Sequence, residues 1–394
     1  MVPEGWSKTY LKNIISGTIK NGYSPLPAAN TTGYWVMGLG ALTDNGINPT
    51  EIKPVELDAK VKQALLTNGD FLISRSNTPD KVGRSIRFKG EIENCSYPDL
   101  MMKFRVDPEK ADPNFVEFKL SSREIRQYFK SCAAGSSSTM VKINKSAVEN
   151  TPLLLPSFLE QKKIAQIIST WDKAITTTEQ LLTNGQQQKK ALMQQLLTGK
   201  KRLLDKNGVR FSGGWESNHL KKLLQISKGN QLNKDTLSKS GEYAVINGGI
   251  EPSGYTNEYN TEANTITISE GGNSCGFVGF QSTRFWCGGH CYAIKNLKID
   301  LNFTYQLLKF NQSKIMRLRV GSGLPNIQKK DLESLSVEHP ISREEQQKIA
   351  AVLSTADQEI TALQQKLNAL KQEKKALMQQ LLTGKRRVKI EEAA

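Results

Sequence analysis

The sequence predicts an α+β protein in which two mixed α/β globular domains are joined by two long antiparallel coiled-coil helices, with pseudo-two-fold symmetry. Three observations carry this. The stretch KKALMQQLLTGK occurs twice, at Lys189–Lys200 and Lys374–Lys385. Around it, Glu160–Arg202 matches Glu345–Arg387 at 26 of 43 positions without a gap. The segments before the two helices are related more loosely, so the chain is two direct copies of a globular domain followed by a helix.

In the globular parts, Asp70-Phe-Leu-Ile-Ser74 and Thr265-Ile-Thr-Ile-Ser269 predict core strands, because each is a short apolar or β-branched run ahead of turn residues. Phe303–Asn311 predicts a helix. Gly5-Trp6 recurs as Gly214-Trp215, and Ile73-Ser74 as Ile268-Ser269. Val82-Gly83 is matched to Val278-Gly279, Asn114-Phe115 to Asn302-Phe303, and Gly135-Ser136 to Gly321-Ser322. Strands this short leave the detailed sheet topology underivable.

Each long helix has a marked start and stop. Ser157-Phe-Leu-Glu160 and Ser342-Arg-Glu-Glu345 predict capping boxes, the serine accepting from a free helix N–H while the glutamate reaches back. Gly199 and Gly384 stand where a left-handed cap ends a helix, and basic residues follow at the negative end of the dipole. Apolar residues recur at 3-4 spacing, through Ile164, Ile168, Trp171, Ile175, Leu192 and Leu196 in the first copy. The second copy runs through Ile349, Leu353, Ile360, Leu363, Leu367, Leu377 and Leu381. A seam held over so many heptads needs a partner helix of equal length. The other copy supplies one, and antiparallel pairing turns a direct repeat into a two-fold arrangement. Asn184-Gly185 interrupts the first seam. Ala191, Leu192, Leu196 and Leu197, like Ala376, Leu377, Leu381 and Leu382, make an apolar surface wider than a two-helix seam, which predicts room for a docked partner.

The chain of 394 residues carries 54 basic and 38 acidic side chains, a net charge of +16. The excess is spread as +4, +5, +4 and +3 over residues 1–156, 157–202, 203–340 and 341–394. A basic tail would concentrate it, so the distribution predicts a long positive surface for a polyanion. No apolar run suits a membrane span, and Met1–Gly5 shows no signal-peptide pattern. Five cysteines without framework spacing fit a reducing compartment, and a cytoplasmic location is expected.

Catalytic motifs are scarce. Gly199-Lys200 is followed by lysine rather than serine or threonine, so it is no phosphate loop, and the three histidines share no motif. Cys287-Gly-Gly-His290-Cys291, with Cys275 upstream, matches no common zinc spacing and reads as buried thiols. Loops have binding character instead. Ser74, Arg75, Asn77, Thr78, Lys81 and Arg84 follow one core strand, where arginine and asparagine can read base edges and lysine and hydroxyls can hold phosphates. The counterpart, with Ser269, Glu270, Asn273 and Ser274, replaces Arg75 by Glu270, which could accept from cytosine N4. Gly33-Tyr34-Trp35, Asn247-Gly248-Gly249 and Gly254-Tyr255 could line the same faces. An architectural DNA-binding protein and a self-sufficient enzyme with scattered acidic residues are the alternative classes. The first predicts salt-sensitive specific binding by the chain alone, the second activity on DNA by the chain alone.

The doubled helix ending Ala-Leu-Met-Gln-Gln-Leu-Leu-Thr-Gly, at Ala191–Gly199 and Ala376–Gly384, resembles that of the specificity (S) subunit of type I restriction–modification systems. Gly254–Tyr259, Thr265–Ser274 and Phe285–Tyr292 are similar to a target-recognition domain of that family. The resemblance implies target-recognition domains at 1–156 and 201–340, spacer helices at 157–200 and 341–387, and a tail at 388–394. It implies a noncatalytic chain whose domains each read half of a bipartite asymmetric sequence in double-stranded DNA. Its helices would set the spacing and dock two modification subunits, with restriction subunits in the full complex. S-adenosylmethionine, ATP and Mg would sit on those partners, and no cofactor or metal on this chain.

Overall fold

The computed structural model describes residues 2–44, 46–137, 140–233, 235, 237–321, 323 and 325–390. The chain divides into two units, Met1–Thr177 with Leu367–Ala394, and Thr178–Lys366. Each long helix therefore contributes one stretch to each unit.

In the first unit a four-stranded antiparallel sheet runs in the order Ile15–Asn21, Met101–Val106, Phe71–Ser74, Ser85–Arg87. A three-stranded sheet places Trp35–Met37 between Cys95–Ser96, which is parallel to it, and Ile52–Pro54, which is antiparallel. A ribbon pairs Ser7–Tyr10 with Pro152–Leu155. All four residues of Phe71–Ser74 are buried, which explains why this strand reads as a continuous run rather than an alternation. Beneath the sheet lies a core holding Phe71, Ile73, Met102, Phe104, Phe115 and Phe129.

The second unit repeats this plan. Its four-stranded sheet runs Gln225–Lys228, Cys291–Lys295, Thr265–Ser269, Val278–Gln281, again antiparallel throughout. Its three-stranded sheet places Tyr243–Ile246 between Gly254–Thr256, antiparallel, and Phe285–Cys287, parallel. The ribbon is Trp215–His219 with Ser336–Pro340. The predicted helix spans Leu301–Phe310, with Asn311 as its C-cap. It starts early because the Asp300 carboxylate caps the Phe303 N–H at 3.0 Å. Asp112 does the same for Phe115 in the first unit, at 2.9 Å. Ser322, matched above to Ser136, lies outside the described residues.

The long helices span Phe158–Leu196 and Arg343–Leu381, 39 residues each. Ser157 and Ser342 accept from the N–H groups of Glu160 and Glu345 as expected, at 3.3 and 3.4 Å. The glutamates do not reach back. In the first unit Glu160 accepts two bonds from Arg387, at 2.7 and 2.8 Å; in the second, Glu345 accepts two from Arg202, at 2.5 and 2.7 Å. A buried carboxylate gains more from a fork of guanidinium donors than from one N–H. Gly199 and Gly384 each adopt φ of 69°. The bonds from Lys201 N to Gln195 O and Arg386 N to Gln380 O fold the chain back over the last turn at each end and satisfy one of its free carbonyls.

Within each unit the paired stretches run antiparallel. Asp172 pairs with Lys374 in the first, and Asp357 with Lys189 at 2.5 Å in the second, residues related by the repeat offset. Ile164, Ile168, Leu196, Ile349, Leu353, Leu367 and Leu381 are buried; Trp171, Ile175, Leu192, Ile360, Leu363 and Leu377 are half-buried. The helix continues unbroken through Asn184-Gly185, where a Cβ on Gly185 would lie 3.6 Å from Ile360 Cγ1, an ordinary contact. The expected docking surface is corrected in part. Leu196, Leu197, Leu381 and Leu382 are all at most 2% exposed and sit in the cores of their own units, so these leucines are not open to a partner, whereas Ala191 and Ala376 are exposed and Leu192 and Leu377 half-buried.

Candidate nucleic-acid interface

The backbone after the central strand follows one plan in both units. Ser74 N bonds Arg84 O and Gly83 N bonds Ser74 O, each at 2.8 Å; Ser269 N bonds Phe277 O at 2.9 Å and Gly276 N bonds Ser269 O at 2.8 Å. Gly276, rather than Gly279, is therefore the counterpart of Gly83. Both have positive φ, 68° and 89°. A Cβ on Gly83 would lie 2.6 Å from Phe129 Cγ, and one on Gly276 2.9 Å from Met316 Cα.

Within this frame Arg75 and Glu270 occupy one position. Arg75 N bonds Leu100 O at 2.8 Å and Ile143 N bonds Arg75 O at 2.9 Å; Glu270 N bonds His290 O at 2.9 Å and Ile327 N bonds Glu270 O at 2.8 Å. The backbone is the same and the charge is opposite. That also matches Leu100 with His290.

In the first unit, Ser74 and Asn77 are buried, and Asn77 Nδ2 donates to Ser74 Oγ at 3.2 Å and Leu39 O at 3.4 Å. Half-buried Arg75 donates to Asp99 O at 3.3 Å. Thr78 bonds Asp80 at 2.5 Å, and Lys81 is exposed. Arg84 donates to Leu42 O at 3.1 Å and pairs with Asp44 at 2.8 Å. No motif or spacing pointed to Arg126, whose guanidinium donates to the carbonyls of Val82 and Asp80, both at 2.7 Å. Burial, and then the nearby Arg84, pull its pKa below the ordinary value. It holds the loop from the helix Arg123–Cys132, some forty residues on.

In the second unit, buried Ser269 donates to Gly248 O at 2.7 Å, which brings Asn247-Gly248-Gly249 to the loop as expected. A Cβ on Gly248 would lie 2.6 Å from Gly271 O, so the loops meet backbone to backbone. Asn273 is exposed and Ser274 half-buried. The Glu270 side chain is only 12% exposed. Its Oε1 accepts from Lys228 Nζ at 2.6 Å and from Tyr292 OH at 3.1 Å. Burial, and then this carboxylate, push the Tyr292 hydroxyl well above its usual pKa, so it stays a donor. Gly254-Tyr255 and Trp35 belong to the three-stranded sheets, and Gly33-Tyr34 lead into the strand that Trp35 opens.

Cys287 and Cys291 lie in a small core with Ile246, Phe285 and Ala293. A hydrogen bond with Cys287 and then burial raise the Cys291 pKa, so this thiol is held protonated. Among the described residues, no group of three or more His, Cys, Asp or Glu side chains is placed to hold a metal ion, and no helix is long and apolar enough to cross a membrane.

Fold and loops together define a tandemly duplicated α+β protein that presents two polar loop clusters on one backbone plan. The family model of the type I restriction modification DNA specificity domain matches residues 3–184 and 212–372. The chain belongs to that family. It is 28% identical over 416 aligned positions to the putative type I restriction enzyme MjaX specificity subunit of Methanocaldococcus jannaschii, covering 98% of this chain and 95% of that protein. It is 38% identical over 158 residues to a putative type I specificity subunit of Mycoplasma pneumoniae, a match spanning 39% of this chain and 42% of the relative. The crystal structure of a type I restriction–modification S subunit from M. genitalium superposes with a TM-score of 0.68 at 18% identity, covering 97% of this chain and 99% of that one, which shows a shared fold.

Proposed function

We propose that this chain is the noncatalytic sequence-recognition subunit of a type I restriction–modification complex, in which each unit binds one half of a bipartite, asymmetric site in double-stranded DNA. The observation that carries this is the pairing of Arg75 with Glu270 at one backbone position. A protein built twice on the same frame, with different side chains set around the same point, can read two different sequences.

Residues 1–156 and 201–340 act as target-recognition domains, and 157–200 and 341–387 as spacer helices. Exposed or half-buried Arg75, Thr78, Lys81, Asn273 and Ser274 meet DNA, while buried Ser74, Asn77 and Ser269 and ion-paired Arg84 shape the loops. The seam from Ile164 and Ile349 onward holds the helices together. Two modification subunits dock on this scaffold and bring S-adenosylmethionine; restriction subunits bring ATP and Mg. Because the inner apolar face is consumed by each unit, docking uses the outer, polar helix surface.

Gel shift with and without modification subunits tests this. Bipartite sequence-specific binding should appear with those subunits and fade without them. Failure of the chain to associate with modification subunits would sink the proposal, and full specificity of the chain alone would favour an architectural DNA-binding protein.

A further inference from the structure

Glu270 is poorly placed to read a base. Its Oε1 is already engaged by Lys228 and Tyr292, and its Oε2 is buried with no hydrogen-bond partner. A cytosine amino group could not reach that oxygen without displacing the loops around it. The His290 ring lies beside Oε2, with Nδ1 at 3.8 Å. The His290 side chain is 64% exposed, and that of Lys228 54%.

The main chain fixes His290 on three sides. Its carbonyl accepts from Glu270 N at 2.9 Å, its N–H donates to Asn247 Oδ1 at 2.9 Å, and its Cβ lies 3.5 Å from where a side chain on Gly248 would begin. Gly289, just before it, is closely packed: a Cβ there would lie 2.6 Å from the movable Gln231 Oε1 and 3.3 Å from the Gln231 Cα. A rigid backbone carrying one exposed, orientable ring is what a base-reading contact requires, because a flexible reader would lose discrimination to entropy. With Nδ1 turned toward the carboxylate, Nε2 is the ring nitrogen left to face a partner.

We propose that His290 is a specificity-determining residue of the second unit, touching a base edge through Nε2, and that Glu270 is its positioning residue, holding His290 and Lys228 in place rather than reading DNA itself. This rests on the reading that the second unit binds one half of a bipartite site. Leu100, which takes the same backbone place in the first unit, offers no hydrogen-bonding group there. The two units would then differ at this point in whether they make a polar base contact or an apolar one.

The test uses the complex of this chain with its modification subunits, methylating a randomised duplex library with S-adenosylmethionine, followed by sequencing of the methylated fraction. For His290→Ala, the preference at one base of one half-site should fall by about ten-fold or more, with the other half-site unchanged. Glu270→Gln, which keeps the shape and removes the charge, should weaken the preference at that same base. Unchanged preference in His290→Ala, or an even loss over all positions of both half-sites, would overturn the assignment of His290. An effect of Glu270→Gln at a different base from His290→Ala would make Glu270 a reader in its own right. A wild-type complex that selects one uninterrupted sequence would instead refute the bipartite reading beneath it.

Discussion

At Gly276 the chain turns with φ of 89° while its Cα hydrogen faces Met316, and Gly272, four residues earlier, turns with φ of 80° into open space. The pair separates backbone strain from packing. Alanine at either costs about 1 kcal/mol for the left-handed conformation. Gly276→Ala must in addition push against the Met316 backbone, for a total of about 2–3 kcal/mol. Denaturant unfolding of the two variants should show the larger loss for Gly276→Ala; equal losses would mean that the contact with Met316 yields freely. The same residue marks a limit of sequence reading. The correspondence of Arg75 with Glu270 was legible because each directly follows a strand ending in Ile-Ser. That of Gly83 with Gly276 was not, because the second loop is two residues shorter and a nearby Val-Gly offers a false match. Hydrogen bonds of the frame, rather than letters, identify the partner.

The two long helices were the most legible elements, since heptad spacing, serine N-caps and glycine C-caps are all local signals. What the local signals misassigned was the glutamate of each capping box. Its true partner, Arg387 for Glu160, lies 227 positions away, beyond any window of sequence. Glu160 and Glu345 are both only 1% exposed, so removing either arginine strands a buried carboxylate. The arginines themselves differ: the Arg202 side chain is 19% exposed and that of Arg387 45%. Arg202→Ala should cost about 3 kcal/mol. Arg387→Ala should cost less, about 1–2 kcal/mol, because water already reaches the site and can replace part of the guanidinium. Thermal unfolding of both variants checks the order. A larger loss for Arg387→Ala would show that its bond to Glu4 O, at 2.5 Å, matters more than the ion pair.

The direct repeat was legible across the whole chain, whereas the order of strands within each sheet was not. Most of the strands are too short to show a period, and the parallel pairs, Trp35–Met37 with Cys95–Ser96 and Tyr243–Ile246 with Phe285–Cys287, join segments far apart in sequence. The proposed spacer role of the helices gives a prediction at this scale. Because Gly185 lies against Ile360, seven residues added after each would keep the seam in register. The insertion lengthens the helices by about 10 Å, which corresponds to roughly three base pairs of rise. The unread gap between half-sites should grow by about that number. A gap of unchanged length would remove the helices from the spacing role.

In the proposed function, two copies of one frame read two halves of one DNA site. Mapping methylated bases in host cells with and without this chain tests this reading. The expected result is a motif of two short specified parts separated by unspecified bases, present with the chain and lost without it. Methylation that is unchanged on its removal, or a single uninterrupted motif, would contradict it.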